Sequence, residues 1–149
     1  MSGVVVVVVV VVVGEFTRNV RSSRRDTYGA MEAQAKTTFG FQTLDVYHLA
    51  IRFVACAGEI IVALPVGQSS VADQLRRAAL SIPLNIAESS GRMGRADAAR
   101  HCAIARGSAL ESAAILDVCA ALRLIESARI RDGHGLLLPI VQMLSKMCR

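Results

Sequence analysis

A chain of 149 residues leaves room for one domain and hardly two. Hydrophobic residues make up 53% and aromatics only 4%, so the interior must be filled by Ala, Val, Leu and Ile, which suits close helix packing better than a sandwich core and needs no disulfide staples. The formal charge is +5, but residues 1–30 hold four Arg against two acids, which leaves about +3 for the rest, an excess that permits nucleic-acid contact without demanding it.

The chain opens on ten consecutive valines, Val4 to Val13. That is about half the roughly 20 residues a membrane-spanning helix needs. The run has the length of a signal-peptide core, but no Lys or Arg precedes it. Glu15 to Ala30 is polar, Arg-rich and without apolar period, as disordered chain is. Residues 1–38 are therefore expected to be a disordered or mis-assigned extension, with residues 1–30 as upstream sequence before a true start at Met31. Residues 39–149 are expected to be the single folded domain, and no membrane partner is expected.

The first helix is expected from about Thr43 to Leu64, ended by Pro65 and Gly67. Leu44, Tyr47, His48, Ile51, Val54, Ala55, Ile61 and Val62 recur at helical spacing and are expected to face the core. Val46, Leu49, Phe53, Cys56, Ile60 and Ala63 form a second apolar stripe nearly opposite. Asp45, Arg52 and Glu59 repeat every seven residues between the two. A helix on the outside of a monomer needs one apolar face, so Val46, Leu49, Phe53, Cys56 and Ile60 are assigned to a contact with another subunit.

The second helix is expected to be capped by Ser69 or Ser70 and to reach about Ser90, with Pro83 kinking it. The third runs from about Arg95 to Ile125 and is rich in Ala. The fourth carries Gly133, Gly135 and Pro139, which point to a short turn followed by a helix from about Leu136. Four helices joined by short connections predict an all-α, up-and-down four-helix bundle.

On the second helix, Gln74, Arg77, Ser81, Asn85, Glu88 and Arg92 share a narrow arc beside the apolar Leu75, Ala79, Ile82 and Ile86. A solvated face, a polar network buried or at an interface, and a ligand site all fit this pattern. The four cysteines, Cys56, Cys102, Cys119 and Cys148, make no CxxC pair and read as small core residues in a reducing cytoplasm.

The run Gln74 to Glu88, followed by Gly91-Arg92, resembles the signature of the bacterial four-helix-bundle family first known from intervening sequences in large-subunit ribosomal RNA genes. Ile104-Ala105-Arg106-Gly107-Ser108 with Glu111, and the opening Phe41 to Tyr47, resemble its other hallmarks. The chain departs from the family at Ser89, where Gly is usual, at Ala98 and His101, where large aromatics are common, and over Arg131 to Gly135. The resemblance covers about residues 39–147 and implies a left-handed bundle that assembles as a homopentamer. A related branch acts as an accessory subunit of reverse transcriptases in diversity-generating retroelements.

No residue set amounts to a catalytic or metal site. E-x-x-H pairs are absent, and Asp45 with His48 is the sole D-x-x-H. His101 and Cys102 are neighbours on a helix and point about 100° apart. Gly91 to Gly94 lacks the Lys of a phosphate loop, and His134 falls in a Gly-flanked turn. A non-enzymatic protein without cofactor or metal is expected. Arg76, Arg92, Arg95, Arg100 and Arg106 are the candidate contacts to RNA or DNA phosphate, while Arg77, Ser81, Asn85, Glu88, Ser108 and Glu111 are the candidate polar network or subunit contact. The competing class is a protein-interaction scaffold or a reverse-transcriptase accessory subunit.

Overall fold

The computed structural model describes residues 38–148. The predicted extension, with its valine run and alternative start, lies outside the described residues apart from Thr38. After a short 3-10 turn, Gly40–Thr43, come four helices: α1 Asp45–Ala63, α2 Ser69–Ser90, α3 Arg95–Ala121 and α4 Ser127–Met147. The unit Phe39–Arg149 contains all four.

Each helix packs on two neighbours: α1 on α2 and α4, and α3 on α2 and α4. This closes a square, with α1 and α3 at opposite corners. The pairs Ser81–Ser108, Asn85–His101 and Ser89–Ala98 ascend along α2 and descend along α3, so those helices are antiparallel. The expected all-α four-helix bundle is what the chain forms.

The core is aliphatic, as the composition requires. Phe53 and Ile60 from α1, Leu75, Ile82 and Ile86 from α2, Leu116 from α3, and Leu137, Ile140 and Leu144 from α4 are all buried. Burying each such side chain stabilises the fold by about 1.5–3 kcal/mol. Ala50, Ala57, Ala79, Ala105 and Ala109 fill the remaining buried positions and let the helices approach.

Here α1 departs from expectation. Val46, Phe53 and Ile60, assigned to a subunit contact, are buried inside the protomer, and Leu49 and Cys56 are half-buried against the same core. The stripe expected to face the core is split. Leu44, Tyr47, Val54 and Ile61 pack on the core's edge, whereas Ala55 and Val62 are exposed and His48 and Ile51 half-exposed. Both stripes have helical period, and periodicity alone carries no sign that tells inside from outside. Phe53 decides it, because the largest apolar side chain of α1 fills the most space in a core poor in aromatics.

The helix ends also differ. Gln68 and Glu126 precede α2 and α4, so Ser69 and Ser127 are first helical residues, and neither helix has a side-chain cap. α3 stops at Ala121, and Arg123 beyond it takes φ 52°. α4 is one unbroken helix despite Gly133, Gly135 and Pro139. Gly133 is buried, and a Cβ there would stand 2.6 Å from Leu116 Cδ1 and 3.8 Å from Ile60 Cδ1. Its absence lets α4 close on α3 and α1.

Candidate nucleic-acid surface and polar seam

The polar stripe of α2 divides into an inner and an outer half. Asn85 Nδ2 donates to Ser81 O at 2.9 Å and to Ser81 Oγ at 3.1 Å. Ser108 Oγ, on α3, lies 2.8 Å from Ser81 Oγ and 3.1 Å from Ile104 O. His101 Nδ1 is 3.2 Å from Asn85 Oδ1, and because the amide oxygen accepts, Nδ1 carries the proton in this bond. Ser81, Asn85, Ser108 and His101 thus form a half-buried seam between α2 and α3. No buried side-chain polar atom among the described residues lacks a partner.

The outer half is wet. Arg77 bonds Gln74, and Gln74 bonds Glu111 across to α3, all at exposed positions. Glu88 and Arg92 form an exposed i, i+4 ion pair, worth about 0.3–0.5 kcal/mol. Of the six residues assigned to a polar network, Ser81, Asn85 and Ser108 belong to the seam. Arg77 and Glu111 join only through Gln74, and Glu88 holds Arg92.

Sequence reasoning missed three polar contacts. Ser89 Oγ donates to Ala98 O at 3.0 Å and lies 3.1 Å from Cys102 Sγ, so the side chain at 89, where the chain departs from its resemblance, ties the end of α2 to α3. His134, expected in a turn, stands within α4 with Nε2 3.0 Å from Asp117 Oδ1 on α3. Arg129 on α4 reaches Glu59 on α1 at 3.8 Å. Each joins separate helices, so helical spacing gives no hint of it.

The five candidate arginines do not form one patch. Arg76 pairs with Asp73 on its own helix, and at 1.5 Å per residue it lies about 24 Å along the chain axis from Arg92. Arg92 holds Glu88 and, at 3.4 Å, Asp97. Arg95, Arg100 and Arg106 on α3 have no ion pair among the described residues. Arg95 and Arg100 are exposed and Arg106 half-buried. At 100° per residue, Arg95 and Arg106 fall on nearly one line of α3, with Arg100 well round the helix from both.

Arg95 is the first residue of α3, whose N-cap is Gly94 without a side-chain cap. A cation at that end meets the positive pole of the helix dipole and gains nothing from it. Both the arginine and the free amide groups favour an anion there.

No group of three or more His, Cys, Asp or Glu able to hold a metal exists among the described residues. Burial pushes the Cys56 thiol above its ordinary value, helped by Glu59 and Asp132 and opposed by Arg129. Burial alone raises Cys119. Neither thiol is in the electropositive setting of a nucleophile.

A family model described as 23S rRNA-intervening sequence protein matches residues 42–146. The chain belongs to that family. The match takes in all of α1, α2 and α3 and all but the last residue of α4, so the polar seam and the arginines are inside it. The chain is also similar to a crystal structure of a protein of unknown function from the S23 ribosomal protein family of Bacteroides thetaiotaomicron, at 21% identity and a TM-score of 0.65. The likeness covers 70% of this chain and 98% of that one. That likeness is one of fold. No curated protein matches the sequence.

Proposed function

We propose that this intervening-sequence family protein is a non-enzymatic bundle that assembles with copies of itself, as a homopentamer on the family resemblance, and contacts RNA or DNA phosphate through α3. The supporting observation is the exposed pair Arg95 and Arg100, cations without an ion-pair partner among the described residues, one of them at a helix N-terminus. Repetition round an assembly turns a modest charge per copy into a ring of positive potential. Beyond Tyr47 the sole Phe, Tyr or Trp is Phe53, which is buried in the core, so base stacking has no platform on α2, α3 or α4 and binding is electrostatic and indifferent to sequence.

The test is titration of the full chain into labelled single-stranded RNA at rising salt. Binding at low salt that weakens linearly on a logarithmic scale, and is lost when Arg95 and Arg100 become Ala, supports the reading. Equal affinity for RNA before and after those changes defeats it.

A second reading, an accessory subunit for a protein such as a reverse transcriptase, is favoured by exposed Leu84 and Met93. Leu84 lies beside a shallow depression lined by Ala87, Glu88, Gly91 and Arg92. Co-purification with a polymerase that is lost on Leu84→Asp would favour it over the RNA reading.

A further inference from the structure

The outer sides of α1 and α3 lie at opposite corners of the bundle, and both are apolar. On α1, His48, Ile51, Ala55, Gly58 and Val62 follow one another in steps of three, four, three and four, all exposed or half-exposed. On α3, Ala103, Gly107, Leu110 and Ala114, which begin one turn beyond Arg100, follow the last three of those steps, all exposed. Such spacing keeps one line of a helix turned toward a partner helix. α1 has the length and composition of a membrane-crossing helix, yet only 28% of its apolar window is buried in the protomer.

Each line contains a glycine that the protomer does not explain. Glycine weakens a helix relative to alanine, yet a Cβ at Gly58 or Gly107 would meet nothing within 4 Å. Gly135 is equally open, but it stands four residues before Pro139, whose ring presses on that carbonyl. Gly58 and Gly107 have no such neighbour. What they permit is close approach of another helix from outside.

We infer that the α1 line of one copy packs, parallel, against the α3 line of the next, which rests on the self-assembly proposed above and names its contact. Set in the same direction, the two lines place Ile51 opposite Ala103, Ala55 opposite Gly107, Gly58 opposite Leu110 and Val62 opposite Ala114. Bulk meets a small residue at each large position. In that register the flanking Glu59 of one copy and Arg106 of the other occupy the positions that pair across a parallel coil. Glu59 also reaches Arg129 within its own protomer. Every copy has one line of each kind, so the contact is head-to-tail and builds a ring if the rotation closes.

The test uses Gly58→Arg and Gly107→Arg in the full chain, with light scattering for mass and circular dichroism for helix content. Each variant alone is expected to be monomeric. An equimolar mixture is expected to give pairs and nothing larger, since only one intact α3 line and one intact α1 line remain to meet. A variant that assembles like the wild type, a mixture that stays monomeric, or one that grows beyond two copies overturns the inference. If an Arg variant loses its helical signal, Gly58→Ala and Gly107→Ala replace it. At least tenfold weaker assembly supports the contact, and a smaller change overturns it. A monomeric wild-type chain instead defeats the self-assembly reading itself.

Discussion

Gly133 on α4 and Leu116 on α3 approach so closely that a Cβ on the glycine would stand 2.6 Å from the leucine's Cδ1. Leu116 is fully buried. What the sequence marks as a helix breaker is therefore a point of close packing between α4 and α3.

Gly133→Ala should lower stability despite alanine's better helix propensity. Overpacking costs about 1–3 kcal/mol, against a propensity gain of about 1 kcal/mol. A net loss of about 1 kcal/mol should appear as a lower urea midpoint with an unchanged slope.

The two faces of α1 should respond differently to truncation. Phe53→Ala opens a cavity in the core and should cost about 3–5 kcal/mol. Val62 is 57% exposed in the protomer, so Val62→Ala should change protomer stability by less than about 0.5 kcal/mol. Denaturant unfolding extrapolated to low protein concentration separates this from any effect on assembly.

Most of the fold was legible in the sequence, because four amphipathic segments with short links allow few arrangements. The assignment of inside and outside on α1 was not legible. Its two stripes share a period, and the deciding fact, that Phe53 is fully buried in the bundle core, is a tertiary one. α4 was misread for a similar reason: Gly133 lowers propensity locally and is repaid by packing that only the folded bundle contains. At the candidate site, the α2 stripe pointed to polar partners, and Ser81, Asn85 and Ser108 do meet. Their fourth member, His101, was invisible because its partner lies sixteen residues away on another helix.

The arginines should separate by role. Replacing Arg95 and Arg100 by Ala should reduce the salt slope of single-stranded RNA binding by about 1.4, at about 0.7 per phosphate contact. Arg76→Ala, which removes a cation already paired with Asp73, should leave the slope unchanged. Fluorescence anisotropy at several salt concentrations measures both.

Thiol chemistry should follow burial. The raised Cys56 and Cys119 thiols hold their protons more tightly folded than unfolded. Their contribution to stability is therefore full below the unfolded thiol value and declines as pH rises past it. Urea midpoints should fall between about pH 8 and 10, the unfolded thiol titrating near 8.5, and fall less in Cys56→Ala. Alkylation of Cys56 at pH 8 should be slower in the native chain than in urea.

Light scattering of the full chain across a range of concentrations bears most directly on the whole account. A mass of several protomers, reduced to one by Gly58→Arg without loss of helix, is the expected result. A wild-type chain that stays monomeric at every concentration, with Ala55, Val62 and Leu110 open to water, would contradict it.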